Sequence, residues 1–229
     1  MNGFDRLAKS YRWMEYLSFG TALERCRFHF LPQLRNTRHA LLLGDGDGRF
    51  TAALLQQAKA ADAFAIDASE AMLNALQERC AAVGTEQRLQ TLCTPLNNGL
   101  PDDVADKHFD LIATHFFLDC LNDAEVEHIA HDAAFCTTHD ALWVISEFRI
   151  PKHGVMQLPS QLIVRMLYLA FRVLTGLRAQ QLPTYGAILQ RNGWRMQQQQ
   201  TRLGGLLVSE LWQRSDNTDA VESIKSKQQ

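Results

Sequence analysis

Leu41-Leu42-Leu43-Gly44-Asp45-Gly46-Asp47-Gly48-Arg49 is the stretch on which the reading of this chain turns. A short apolar run, 40–43, meets a turn with three glycines, and a helical pattern follows from Phe50 to about Lys59. Strand, tight turn and helix in that order make the opening unit of a doubly wound α/β sheet. The turn then lies at the carboxyl end of the strand, where ligands bind in such sheets. Glycine allows the backbone to turn sharply there and to approach a ligand closely.

The details of the turn narrow the ligand. Its spacing is G-x-G-x-G, and Arg49 stands at the third-glycine position of the dinucleotide fingerprint G-x-G-x-x-G. Both intervening residues are aspartates. A pyrophosphate at this helix N-terminus would meet two carboxylates beside the favourable amides, whereas a cationic ligand would not be repelled. S-adenosylmethionine carries a sulfonium and an α-ammonium and no phosphate, so the turn suits it better than NAD. Gly44, Asp45 and Gly46 are the candidate contacts; a plain helix-capping role for the aspartates is the alternative.

A second apolar run, 63–66, ends at Asp67, about twenty residues beyond the turn, where a carboxylate accepts hydrogen bonds from ribose hydroxyls. Asp67 or Ser69 also reads as an N-cap for the helical pattern 69–83. Ala68 and Met72 would lie near an adenine, although Met72 equally suits the core.

Outward from there, runs at 88–93, 109–114 and 141–148 read as strands, and 123–135 and 184–192 as helices. Strands alternating with helices imply parallel pairing through right-handed crossovers. Near the end, 194–202 and 206–213 are strand-like runs separated by Leu203-Gly204-Gly205, which predicts an antiparallel hairpin. Before the first strand, 4–34 reads as two short amphipathic helices that break near Gly20 and end at Pro32. These divisions give a helical lid at 1–38, a Rossmann-like core at 39–150, an inserted helical cap at 151–183, the C-terminal part of the sheet at 184–214 and a polar tail at 215–229.

Composition excludes other classes. With 229 residues, 46% of them hydrophobic, the chain can bury one sizeable core. Its net charge of −2 is a poor footprint for nucleic-acid binding. The 5 cysteines are odd in number and contain no C-x-x-C pair, which fits a reduced, cytoplasmic chain. No signal peptide opens the sequence, and the apolar stretch 158–177 carries Arg165 and Arg172, so it is not read as a membrane span. Gln161, Arg165, Tyr168 and Arg172 share one face of that stretch. The apolar remainder offers a roof for a hydrophobic acceptor, a peripheral membrane contact, a homodimer face, or plain packing on the domain.

Taken together, the turn, Asp67 and the alternation over 40–150 resemble the class I S-adenosylmethionine-dependent methyltransferases. The opening Phe4-Asp5-Arg6-Leu7-Ala8-Lys9-Ser10-Tyr11 is similar to the F-D-x-x-A-x-x-Y start of the quinone-biosynthesis branch. The resemblance implies a mostly parallel seven-stranded sheet with an antiparallel C-terminal strand, and a lid in which Tyr11 touches the cofactor. Two positions depart from the family pattern: Leu42 replaces an acidic residue before the turn, and Cys93-Thr94-Pro95 replaces the acid after the third strand. Asp45, Asp47 and Thr94 are the candidate substitutes, with Pro95 beside the adenine. The departures motivate an alternative, a cofactor-binding module without catalysis; an NAD-binding oxidoreductase is a third reading.

Methyl transfer chiefly requires alignment of the acceptor and, where needed, removal of its proton. The candidates follow the fourth and fifth strands. His115 has an unperturbed pKa near neutrality, or else it contacts the cofactor or packs under the lid. Asp119 and Glu147 would orient or deprotonate an acceptor, or cap a helix and pair with Arg149. His128, His131, Cys136 and His139 form a loose cluster read as a solvated face, with no metal site. The function expected is methylation of a small, hydrophobic acceptor.

Overall fold

The three leucines that precede the turn have no polar partner to offer, and each is fully buried. They belong to β1 (His39–Leu43), the centre of a sheet covered on both faces. The computed structural model describes residues 21–151, 157–164 and 182–215. Among these the strands are β2 (Asp62–Asp67), β3 (Leu89–Cys93), β4 (Phe109–His115), β5 (Thr137–Phe148), β6 (Trp194–Arg202) and β7 (Leu207–Arg214). The helices are α1 (Ala22–Arg27), α2 (Arg49–Gln57), α3 (Glu70–Ala82), α4 (Asp123–Ala133) and α5 (Tyr185–Arg191). Residues 157–164 are also helical.

The seven-stranded sheet has the order β3-β2-β1-β4-β5-β7-β6. Pairing is parallel from β3 through β5, and β7 runs antiparallel to both β5 and β6. The chain thus has the Rossmann-like fold expected, including the terminal hairpin. Alternation along β1 divides the core. Leu41 and Leu43 pack with Ile112, Trp143 and Ile145 beneath Val126 and Ile129 of α4 and Ile188 of α5. Ala40 and Leu42 pack on the other face with Ala113, Phe50 of α2 and Leu76 of α3. Burying one such leucine contributes roughly 1.5–3 kcal/mol.

A third apolar cluster sits at the carboxyl edge of the sheet. It joins Leu23 and Cys26 of α1 to Phe116, Phe148, Val164 and Leu207. The strand order places the topological switch between β1 and β4, so this edge is also where a ligand would lie.

Element ends differ in instructive ways. The helix expected to run to Pro32 stops at Arg27, and Pro32 instead opens a 3-10 turn, Leu31–Gln33. Proline fits the first turn of a helix because it has no N–H to bond there. β5 begins at Thr137, ahead of the apolar run at 141, because Thr137 pairs with Phe109 across a register shift in β4. Tyr11 and the lid through residue 20, most of the cap (152–156 and 165–181) and the tail from 216 lie outside the described residues.

Candidate active site

The glycine turn is built by left-handed backbone at Gly44 (φ 65°), Gly46 (φ 61°) and Gly48 (φ 73°). The three positions differ in what a side chain would meet. At Gly44 a Cβ would collide with the ring of Phe117, which lies directly over the turn. At Gly48 it would stand 2.5 Å from Leu76 Cγ, so this glycine lets α2 and α3 meet. At Gly46, among the described residues, only Met72 Sδ comes near, at 3.9 Å.

The two aspartates of the turn face inward. Asp45 is buried, and its Oδ2 accepts from the Thr51 amide at 2.9 Å and the Thr51 hydroxyl at 2.6 Å, capping α2. Its Oδ1 has no partner. Burial raises the Asp45 pKa, and the Arg27 guanidinium of α1 pulls against that rise. Asp47 accepts from Arg49 Nε at 3.0 Å and from Arg79 Nη2 at 2.8 Å. This corrects the picture of two free carboxylates confronting a pyrophosphate, since two guanidiniums neutralise Asp47.

Asp67 ends β2, and its Oδ1 accepts from the Ser69 amide at 2.8 Å. Backbone amides of Gly46 and Ala68 also bond this carboxylate. Asp67 therefore ties the end of β2 to the glycine turn, and burial outweighs these bonds to push its pKa up to about 6. Ser69 is the N-cap of α3, its hydroxyl accepting from the Met72 amide at 3.3 Å. Met72 is buried beside Gly46. Thr94 follows β3 and donates its amide to the Asp67 carbonyl at 3.1 Å, which brings Thr94 and Pro95 to the same corner. Leu42, where the family pattern has an acid, is fully buried in the core.

His115 does not face open solvent. It is 3% exposed, its Nδ1 shares a hydrogen bond with Ser146 Oγ at 3.0 Å, and its ring lies 4.3 Å from that of Phe50. Its Nε2 has no partner. Burial first, and Arg27 second, hold its pKa well below the usual value, so the ring is neutral at physiological pH. A buried, weakly basic imidazole suits positioning better than proton removal.

Glu147 is 1% exposed at the end of β5. Its Oε1 accepts from the Phe117 amide at 3.1 Å and the Leu118 amide at 2.8 Å, while its Oε2 has no partner. The bonds lock the segment after β4, in which Phe116 holds a left-handed φ of 55°. Burial and the charge of Asp119 raise the Glu147 pKa well above its ordinary range. Asp119 is itself raised to about 6 by burial. Burial first, and then the charges of Asp119, Glu147 and Asp67, hold the Cys120 thiol well above its usual pKa.

The structure thus gathers Gly44, Asp45, Gly46, Asp67, Ala68, Met72, Thr94 and Pro95 at the ends of β1 to β3. Asp119 and Glu147 gather at the ends of β4 and β5, and His115 lies beneath. Sequence reasoning missed Arg27, Arg79 and Phe117. Only Phe117 left a signal, as one of two aromatics following a strand into the ligand edge. Among the described residues no group of three or more metal-binding side chains converges, and His131 bonds Asp132 instead.

Residues 40–139 match the family described as a methyltransferase domain. Among solved structures, mitomycin 7-O-methyltransferase MmcR is similar at 18% identity and a TM-score of 0.67, over 93% of this chain and 60% of its own. An O-methyltransferase family protein from Burkholderia thailandensis is similar at 14% identity and a TM-score of 0.67, over 93% and 58%. The S-adenosylmethionine-dependent methyltransferase SibL is similar at 14% identity and a TM-score of 0.60, over 89% and 56%. The chain spans about three fifths of the length of these structures. A search of curated proteins finds no match. The family model covers residues 40–139 alone, and the likeness to these structures shows that the chain has the class I, Rossmann-like fold of such methyltransferases. The cofactor of that class is S-adenosylmethionine, and the residues present fit it: Gly46 with little beside it among the described residues, a buried acid at Asp45 with a spare oxygen, and a carboxylate at the end of β2 in Asp67.

Proposed function

We propose that this chain methylates a small, hydrophobic acceptor with S-adenosylmethionine. The observation that carries the reading is the joint made by Asp67 between β2 and the Gly44–Gly48 turn, with only Met72 Sδ near Gly46 among the described residues. S-adenosylmethionine supplies an electrophilic methyl group on a sulfonium.

The chain's own residues do the rest. Asp67 has acceptor capacity left for ribose hydroxyls, and Met72 and Pro95 flank the adenine side. Asp45 directs its free oxygen toward the amino-acid end. Phe117 lies over Gly44 and separates that end from the third apolar cluster, where Phe116, Phe148 and Leu207 offer an acceptor an apolar wall. Asp119, ionised above about pH 6, is the group best suited to take an acceptor proton. Residues 1–38 serve as the lid with Tyr11 on the cofactor, and 151–183 roof the acceptor. That cap also supplies a face for a membrane surface or a second copy. No helix among the described residues is long and apolar enough to cross a membrane. The free thiols of the chain suit a cytoplasmic setting.

Thermal unfolding with S-adenosylmethionine, S-adenosylhomocysteine or NAD tests the cofactor. A ligand at a hundred times its Kd stabilises by about 2.7 kcal/mol. A shift with the sulfur ligands and none with NAD supports the reading, and a shift with NAD alone overturns it. Methyl transfer from labelled cofactor to hydroxylated aromatics, against equally sized polar alcohols, then tests the acceptor class.

A further inference from the structure

We infer that the seating of α1 on the sheet sets the tautomer of His115, so that the buried ring is a hydrogen-bond acceptor at Nε2 while α1 is in place and a donor there once α1 withdraws. The carrier is a row of polar side chains across three strands. His115, Ser146 and Ser209 are register partners on β4, β5 and β7, and all three are buried. Both serine hydroxyls donate to one backbone oxygen, the Cys26 carbonyl of α1, Ser209 at 2.8 Å and Ser146 at 3.2 Å. The Cys26 thiol ends the row, 3.1 Å from Ser209 Oγ and 3.3 Å from the Val208 carbonyl. Around it the contacts of α1 are apolar, with Leu23 and Cys26 packed among Phe116, Phe148 and Leu207.

A carbonyl oxygen only accepts, so the Ser146 proton points to Cys26. Ser146 then turns a lone pair to His115, and the 3.0 Å contact at Nδ1 is made by the ring's own N–H. A neutral ring carries one proton, which leaves a bare lone pair on Nε2. Two further observations agree. Nε2 is buried without a partner, and proteins leave a buried N–H orphaned less readily than an acceptor. The charge of Arg27, which also belongs to α1, acts on this ring and favours a lone pair over an N–H.

When α1 leaves the sheet, the Cys26 carbonyl and the Arg27 charge leave together. Ser146 loses its acceptor and turns its proton to Nδ1. The ring gives up the Nδ1 proton to water and takes one from water at Nε2, so its charge is unchanged. For a molecule at the carboxyl end of β4, the seated chain offers an acceptor and the unseated chain a donor. That consequence rests on the reading of the site above, whereas the tautomer does not.

Nitrogen-15 NMR of the ligand-free full chain, labelled at histidine and recorded near neutral pH, tests this, because protonated and bare ring nitrogens resonate far apart. The His115 signals are those lost from the set of 8 histidines in His115→Asn or His115→Gln. In the unaltered chain the Nδ1–H form should outweigh the Nε2–H form roughly tenfold. Ser146→Ala should bring that ratio to one or below, and Ser146→Cys should lower it less completely. Leu23→Ala leaves the row of polar groups intact but loosens α1 in the third apolar cluster, and the ratio should fall there too. Faster exchange of the Phe28 amide, which bonds the Glu24 carbonyl, reports the loosening, and Leu23→Asp replaces alanine if that exchange does not change. A dominant Nε2–H form in the unaltered chain overturns the inference. So does a ratio unmoved at position 23 while Phe28 exchanges faster, because α1 then has no hold on the ring. A merely structural Ser146 would lower the melting temperature and leave the ratio in place, which also overturns it. Circular dichroism checks each variant, and if Ser146→Ala does not fold, Ser146→Cys decides. No readout involves S-adenosylmethionine, so failure here leaves the methyltransferase reading standing.

Discussion

Arg79 clamps Asp47 at two points: its Nε–H donates to the Asp47 carbonyl at 2.7 Å and its Nη2 to the Asp47 carboxylate at 2.8 Å. The contact ties the third turn of α3 to the middle of the glycine turn. Arg79→Ala leaves Asp47 to Arg49 alone, and we expect a loss of about 1–2 kcal/mol in urea unfolding, discounted for partial exposure. Cofactor affinity falls severalfold with it, because the turn is less well held. Arg79→Lys recovers only part, since a single ammonium cannot span both acceptors.

Gly48 is both left-handed and in the path of Leu76. Gly48→Ala adds a strained backbone and forces α2 from α3. A destabilisation on the order of 2–4 kcal/mol is expected from the two effects together. Gly84 is also left-handed, but among the described residues nothing lies within 4 Å of where its Cβ would stand, which makes it the control. Gly84→Ala costs about 1 kcal/mol from backbone strain alone, and equal losses at the two sites would refute the packing argument.

Asp67 makes a pH prediction with a definite sign. Its pKa rises from 3.8 to about 6 on folding, so between those values the native chain holds a proton that the unfolded chain has released. Stability from this group therefore falls as pH rises through that window. His115 acts in the opposite sense, because its lowered pKa costs stability as pH falls below 6.5. The difference between the unaltered chain and Asp67→Asn cancels the histidine. That difference should move against the unaltered chain by on the order of 1–2 kcal/mol between about pH 4 and pH 7. Binding runs the other way, with S-adenosylmethionine affinity falling below about pH 6 as the carboxylate takes its proton. Asp67→Ala weakens it by about 1–3 kcal/mol at neutral pH.

Arg88 caps the end of α2 from a distance. Its guanidinium donates to the carbonyls of Leu55 at 2.6 Å, Ala58 at 3.1 Å and Ala61 at 2.8 Å. Helix ends leave such carbonyls without partners. Arg88→Ala should cost about 1–3 kcal/mol in chemical unfolding without altering ligand affinity, and a change in affinity with unchanged stability would contradict the structural role.

Much of this was written in the order of residues. The 40–43 run, the glycines and Asp67 stand in fixed local relation, so strand, turn and acid could be read together, and the period of the helices at 50–59, 69–83, 123–135 and 184–192 marked their limits to within two residues. The inward turn of Asp45 and the pairing of Asp47 with Arg79 could not be read this way, because they depend on where α3 lies against the turn. The burial of His115 is hidden for the same reason: a histidine at a strand end reads alike whether it faces solvent or, as here, Phe50 and Ser146. Pro32 misled because proline ends one helix and opens another with equal ease.

The grip of Glu147 on Phe117 and Leu118 has a consequence for how this chain can vary. One oxygen is the mortar of a strained bend, the other is buried without a partner, and no shorter acid supplies both. Aspartate would give up the bend to keep the charge, and glutamine would keep an acceptor for the bend and give up the charge. Position 147 is therefore a place where shape and electrostatics are inherited as one trait, and a descendant that drifts there gives up one of them or must rebuild the segment around Phe116.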